Sequence, residues 1–369
     1  MRVVAVLSLL ACLSSSALAQ QLIPAPLRLV VEQYAPANFP VGMVFDQEGA
    51  LYYNEKTTGR VRRIAPDGRT DPQPIATFTT SALQERGLLG LTLSPNFAES
   101  RVMYLVYTKE GTARSYPANT LVRLHLGEDG RAARVDELLS LPITNGYLMH
   151  NGGNVHFGPD GALYVSFGDF GEAAKAQDLE ALQGKILRYR VEDEGPLLIP
   201  DDNPFPGSPV YAYGLRNPFD FTFDPFNGNL FAAEVGPSCD DELNLILPGW
   251  NYGWREGYEC VGTGYIPGLR LYAPPLLSFT PVEAPTGILI YDGEMFPEWQ
   301  GNLLWCNWNF GDLRRAVLDE TRTRVLEVHK IDLGQTQCRI DLVQAPDGAL
   351  LFGTVGSFGG AIMRLSRGS

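Results

Sequence analysis

Six stretches of this chain repeat one local pattern, and that repeat constrains the fold more than any other feature. Each is a β-rich run, a turn built from Pro, Asp or Gly, and an aromatic-rich run that ends on small or acidic residues. They are VGMVFDQEGALYYNEKTTGRVRRI (41–64), LLGLTLSPNFAESRVMYLVYT (88–108), GNVHFGPDGALYVSFGD (153–169), FDFTFDPFNGNLFAAEVG (219–236), TGILIYDGEMFPEWQGNLLWCNW (286–308) and IDLVQAPDGALLFGTVG (340–356). Apolar residues alternate along the arms, the period of a strand. Turns such as Pro159-Asp160-Gly161 and Pro346-Asp347-Gly348 supply hairpin chemistry, with Gly taking the positive φ and Asp bonding locally. Third strands follow at 60–64, 121–126, 186–190 and 361–365. A hairpin with both faces apolar needs neighbours to cover it, so the expectation is an all-β fold, a six-bladed propeller of four-stranded antiparallel blades. A solenoid would repeat more tightly and evenly, and an immunoglobulin-like array would lack the later strands. A strand at 27–33 is expected to close the ring against the last blade. Helix is expected only at 173–182, as a short excursion in a loop.

The 39 Gly and 27 Pro agree with a chain of many turns and few helices. Its 369 residues fit one domain at 20–369, because propellers of this length are usually one unit. Residues 1–19 have a charged start, an apolar run from Val3 to Leu13 and Ala17-Leu18-Ala19, the pattern of a secretory signal. A rival cut at Leu10-Ala11-Cys12 would anchor the chain through Cys12. Either way the protein is exported, periplasmic or secreted, and no membrane span is expected. The net charge of −13 argues against nucleic acid and is compatible with cation binding. Cys239, Cys260, Cys306 and Cys338 make an even set, suited to two disulfides in an oxidising compartment. Of three possible pairings, Cys239–Cys260 and Cys306–Cys338 each close a local loop and are favoured. No C-x-x-C-H or C-x-x-C occurs, so neither covalent haem nor a cysteine zinc site is expected.

Four motifs fall in order on this repeat: ERGLLGL (85–91), HNGGN (150–154), GLRNP (214–218) and GPSCDDELNLILPGWNYGW (236–254). Together they resemble the glucose/sorbosone dehydrogenase family, soluble enzymes that use pyrroloquinoline quinone (PQQ) and calcium. The resemblance spans nearly the whole chain after the signal. It implies oxidation of aldoses, or short oligosaccharides, at the anomeric carbon to lactones. His150 would be the general base, taking the anomeric proton while hydride passes to the quinone, a task suited to an imidazole near its working pH. Glu85 would stand beside sugar and cofactor, Asp169 would contribute to the same rim, and Arg216 and Asn217 would contact the quinone oxygens. Gly236 and Pro237 would hold, through backbone carbonyls, the calcium that grips PQQ. Asp241, Glu242 and Tyr252 match a second, structural calcium site; mixed carboxylates and carbonyls suit that ion. Electrons would leave to an external acceptor. His125, His156 and His329 read as structural.

The chain departs from the family pattern at the cofactor carboxylates. Relatives supply a Lys and two Arg there from the fifth and sixth blades. Here Arg314 takes the Lys position, and only Arg339 is offered in the sixth blade, one residue out of register; on a strand that shift reverses the face. The stacking aromatic of some relatives is replaced near Thr280, with Trp250, Tyr147 and Phe310 as substitutes. Two alternatives compete with the dehydrogenase. One is a non-enzymatic, calcium-stabilised propeller that binds a protein or carbohydrate partner. The other is a propeller lactonase, for which no converging Asn, Asp and Glu set is seen.

Overall fold

The computed structural model describes residues 27–356 and 359–368. The signal segment 1–19 and Cys12 lie outside the described residues. Alternating apolar runs become strands, and the turns between them become hairpins, in six sheets of four antiparallel strands. Blade 1 is β2 (Pro40–Phe45), β3 (Leu51–Glu55), β4 (Arg60–Ile64) and β5 (Ala76–Thr77). Blade 2 is β6 (Leu88–Leu93), β7 (Val102–Lys109), β8 (Ala118–Leu126) and β9 (Ala132–Pro142). Blade 3 is β10 (Gly152–Phe157), β11 (Leu163–Phe167), β12 (Lys185–Tyr189) and β13 (Val210–Tyr213). Blade 4 is β14 (Pro218–Phe223), β15 (Leu230–Glu234), β16 (Asp241–Ile246) and β17 (Leu277–Phe279). Blade 5 is β18 (Pro285–Ile290), β19 (Leu303–Asn307), β20 (Leu313–Leu318) and β21 (Val325–Ile331). Blade 6 is β22 (Leu342–Gln344), β23 (Leu350–Gly356) and β24 (Gly359–Arg367), completed by the N-terminal β1 (Leu29–Ala37).

The ring closes as expected. β1 pairs antiparallel with β24, from Leu29 opposite Arg367 to Ala37 opposite Gly360. Closure gives the last blade its fourth strand and ties the two ends of the ring together, while each blade keeps one outer edge. Each innermost strand packs on the next around the ring, β22 returning to β2. One apolar cluster fills each gap between blades, for example Tyr104, Val155 and Phe167 between blades 2 and 3. This explains why β3, β11, β15 and β19 are buried along their whole length: their two faces belong to two different gaps.

Five innermost strands carry a register shift near their first residues: β2 at Val41/Met43, β6 at Leu88/Leu91, β10 at Gly152/Val155, β14 at Pro218/Asp220 and β18 at Pro285/Ile288. An extra residue at such a bulge twists the strand and re-aims its side chains. The residues freed this way include Leu89, Gly90, Gly153, Asn154, Phe219 and Thr286, all on the wall of the central cavity described below.

Helix is shorter than the sequence pattern implied. The 173–182 stretch forms only α2 (Ala173–Gln177), after a one-turn α1 (Phe97–Ser100). The buried Lys185 ends it: Nζ donates to the carbonyls of Lys175, Ala176 and Gln183 at 2.7, 3.0 and 2.8 Å, satisfying groups that a longer helix would have used itself. Both favoured disulfides are present. Cys239–Cys260 pins the long loop of blade 4 with Cα atoms 6.1 Å apart. Cys306–Cys338 ties β19 to the segment before β22, so it staples blade 5 to blade 6.

Candidate active site

Loops before β6, β10 and β14 and after β11 and β15 meet at one end of the ring. His150 is held there in left-handed backbone geometry, φ 55°, an uncommon state for a residue with a Cβ. Its carbonyl presses on Gly168, where a Cβ would lie 2.0 Å from the oxygen; only glycine fits. The His150 N–H donates to Glu85 Oε2 at 2.7 Å. Its ring is 5% exposed as a residue, and Nδ1 lies 2.7 Å from Asp169 Oδ1. Asp169, 1% exposed, also accepts the Trp254 indole N–H on Oδ2 and the Gly171 N–H on Oδ1, each at 2.7 Å. A carboxylate in that position assigns the proton to Nδ1 and leaves Nε2 as a basic lone pair. Nε2 faces the Tyr147 hydroxyl at 3.2 Å, and the tyrosine ring stands edge-on to the imidazole.

Glu85 joins His150 to the GLRNP segment, since Oε2 also accepts from Asn217 Nδ2 at 3.1 Å. Asn217 Oδ1 accepts the Gly152 N–H at 2.9 Å. The backbone N–H groups of Arg216 and Asn217 both donate to Glu234 Oε1, at 2.6 and 2.8 Å. The Arg216 guanidinium lies over the Trp254 ring at 5.4 Å and donates from Nη1 to the Val235 carbonyl at 2.7 Å. Its Nε is buried without a partner, and so is Glu234 Oε2. Burial pushes the Glu234 carboxyl up to about 8.

Beside these groups is a void of about 20 Å³ lined by Arg216, Glu234, Gly236, Pro237, Glu242 and Tyr252, among others. Glu242 is completely enclosed, has one donor, Asn244 Nδ2 at 3.0 Å, and is pushed well above the usual carboxylate range by burial. Two enclosed carboxylates with unclaimed oxygens are costly unless a cation joins them. Oxygen-only chemistry with carbonyls nearby fits Ca²⁺. The Asp241 carboxylate is differently employed: it accepts N–H groups of Gly236, Glu283 and Ala284, bracing blade 4 against blade 5. The Tyr252 phenol is likewise committed, donating to the Leu245 carbonyl and accepting from the Leu247 N–H. What Tyr252 can offer a metal is its backbone carbonyl.

A cavity of about 280 Å³ opens at the same end, with walls from all six blades. They include Val41 and Lys56, Glu85 and Leu89, Gly153 and Asn154, Asn217 and Val235, Thr286 and Trp308, and Ile340. Glu85 and Asn217 are on this wall, with His150 one hydrogen bond behind Glu85. Arg314 and Arg339 are not on the wall. Arg314, on the third strand of its blade, pairs with Glu283 at 2.8 Å and lies 3.5 Å from Asp312. Arg339 packs over Trp308 at 5.7 Å and donates to the Trp308 carbonyl and, at 2.9 Å, to Gln337. The next residue, Ile340, is on the cavity wall instead; both residues lie in the bend before β22, not on a strand.

Of the aromatic substitutes considered, Trp250 packs against the core between blades 3 and 4, Phe310 is 50% exposed and Tyr147 covers His150. The aromatics on the cavity wall are Phe39, Phe219 and Trp308, and Trp308 stacks on Phe39 with centroids 5.9 Å apart. Sequence reasoning overlooked Trp308, Lys56 and the Trp254 contact to Asp169; only the end of the fifth repeat at Trp308 hinted at one of them. His125, His156 and His329 each sit against a carboxylate, of Asp136, Asp220 and Glu327.

The glucose/sorbosone dehydrogenase family model matches residues 37–364. The chain belongs to this family. It is 30% identical over 282 residues to aldose sugar dehydrogenase YliI of Escherichia coli K12, covering 72% of this chain and 73% of that one. The PQQ-bound aldose sugar dehydrogenase of Streptomyces coelicolor superposes with a TM-score of 0.76 at 28% identity, over 93% of this chain and 99% of the other. The family likeness extends to human Hedgehog-interacting protein, 30% identical over 210 residues but covering 48% of this chain and 29% of that protein. Family, homologues and fold support a sugar dehydrogenase oxidoreductase, a quinoprotein-type β-propeller. Among the described residues no helix is long and apolar enough to cross a membrane.

Proposed function

We propose that this protein is a PQQ- and calcium-dependent dehydrogenase that oxidises aldoses, or short oligosaccharides, at the anomeric carbon to lactones. The reading includes export under a signal at 1–19, one domain at 20–369, and a separate electron acceptor in the periplasm or outside the cell. The observation that carries it is the His150–Asp169–Trp254 chain: a buried imidazole oriented through Nδ1, with Nε2 left basic.

His150 Nε2 takes the proton of the anomeric hydroxyl, which displaces Tyr147 as its partner. Asp169 steadies the imidazolium that forms, and Trp254 keeps that carboxylate in place. Glu85, bonded to both His150 and Asn217, holds base and binding segment in one frame and offers its free oxygen to the sugar. PQQ, when bound, supplies the two-electron acceptor for the hydrogen leaving the anomeric carbon. Arg216, whose Nε lacks a partner, and Asn217 would hold the quinone oxygens. Gly236 and Pro237 through their carbonyls, Glu234 and Glu242 through their carboxylates and Tyr252 through its carbonyl would hold calcium at the one void they share, in place of the two separate sites expected; Asp241 supports that loop by bracing it.

Purified protein loaded with PQQ and Ca²⁺ should retain quinone absorbance through gel filtration and reduce a dye with a panel of aldoses. Absence of both would overturn the dehydrogenase. The position of Arg314 and Arg339 away from the cavity favours a second reading, a calcium-stabilised propeller that binds a partner. That reading requires calcium to stabilise the fold while no quinone is retained.

A further inference from the structure

Lys56 directly follows β3 and is 6% exposed, yet it forms part of the cavity wall. Among the described residues it is the one Lys or Arg on that wall. Its Nζ donates to the Gln84 carbonyl at 2.6 Å, a neutral acceptor. Two further N–H groups have no protein acceptor, and no carboxylate lies within ion-pair distance among the described residues. The side chain is not free to wander. Nζ lies 4.9 Å from the Phe39 ring centroid, and Phe39 in turn stacks on Trp308. Gly87 packs so closely that a Cβ there would lie 2.7 Å from Lys56 Cγ. The Lys56 N–H bonds the Phe39 carbonyl and its carbonyl receives the Leu88 N–H, both at 3.1 Å. Burial lowers the ammonium to about 8, while Glu85, the charged group facing it, pulls the other way. A positioned, under-satisfied cation on a mostly apolar wall is an arrangement that an anion completes.

We propose that Lys56 binds a carboxylate of the molecule that fills the cavity, so that blade 1 supplies the anion contact that Arg314 and Arg339 do not make. The inference deepens the dehydrogenase reading and rests on it, because PQQ carries carboxylates; a uronic acid substrate is the other source of the same group.

The test compares wild type, Lys56→Met and Lys56→Arg, with far-UV circular dichroism and melting curves to confirm folding. PQQ affinity is titrated by fluorescence in saturating Ca²⁺, and calorimetry at pH 8.5 in two buffers counts protons. Wild type should bind PQQ and take up a proton as the lysine becomes charged. Lys56→Met should bind roughly 10- to 100-fold more weakly, the scale of one charge-assisted hydrogen bond, without proton uptake. Lys56→Arg should stay within a few-fold of wild type. If Lys56→Met spares PQQ but raises KM for glucuronate and not for glucose, the carboxylate belongs to the sugar. Unchanged PQQ affinity, proton uptake and KM in a folded Lys56→Met overturn the proposal and leave the dehydrogenase standing. Wild type that binds neither PQQ nor glucuronate overturns both.

Discussion

On the blade 3 and 4 side of the cavity, side chains are linked one to the next: Trp254 to Asp169, Asp169 to His150, His150 to Glu85 and Glu85 to Asn217. On the blade 5 and 6 side the cationic groups are absent from the wall. Arg314 pairs with Glu283, Arg339 lies over the Trp308 ring, and the wall is Ala284, Thr286, Trp308 and Ile340. Proton transfer demands an oriented base, and one side meets that demand through contacts from loops of three blades. Holding an anion demands only charge within reach, which another blade can supply. The contrast separates the chemistry, tightly specified, from ligand anchoring, which different positions on the ring can provide.

Five substitutions and the removal of calcium would break or sharpen that contrast. His150→Ala should lower kcat by about 10²- to 10⁴-fold, the usual share of a general base, while retaining PQQ absorbance; near-normal turnover would remove the base from His150. Asp169→Asn, which misorients the imidazole and weakens its protonated form, should cost roughly 10- to 100-fold in kcat with little change in PQQ affinity. Removing calcium with a chelator should lower the melting temperature by several degrees, and Glu242→Gln should abolish the gain on adding Ca²⁺ back. An equal calcium response in that variant would clear Glu242 of a metal role.

Arg339→Ala, which truncates a half-buried residue absent from the cavity wall, should leave PQQ affinity within about threefold of wild type. A loss of tenfold or more would show that Arg339 turns inward on binding. The last effect is one of pH. Asp341, enclosed beside Ile340, is pushed up to about 7, chiefly by burial and then by the Asp220 carboxylate. The folded chain therefore keeps a proton that the unfolded chain releases near 3.8. Stability falls as pH rises from about 4 through 7, and Asp341→Asn should flatten that slope in denaturant midpoints measured at pH 5 and 8. An unchanged slope would assign the titration elsewhere.

Much of the molecule was legible in the chain because it is local. Alternating runs and Pro-Asp-Gly turns specify hairpins within about twenty residues, and repeating them six times leaves a closed ring as the way to bury both faces. The N-terminal strand, the favoured disulfide pairing and the family were legible in other short stretches, the 27–33 run, the four cysteines and the four motifs. The helix at 173–182 was overread because its propensity is local, whereas the Gly214 N–H that takes the Ala176 carbonyl at 2.9 Å comes from a distant segment. Within the site, Glu85, His150, Arg216 and Asn217 were found by their motifs, and the structure brings them together. What the sequence could not decide is who meets whom: Trp254 reaches Asp169 across 85 residues, and Lys56 enters the cavity because Gly87 and Phe39 hold it there. Which of Arg339 and Ile340 faces the channel depends on the bend that leads into β22, and five bulges set which side chains of the innermost strands reach the wall. The sequence by itself determined the blades and the chemical groups carried on their loops. The tertiary structure alone decided which groups face the cavity, because that direction is set by packing between blades far apart in the chain.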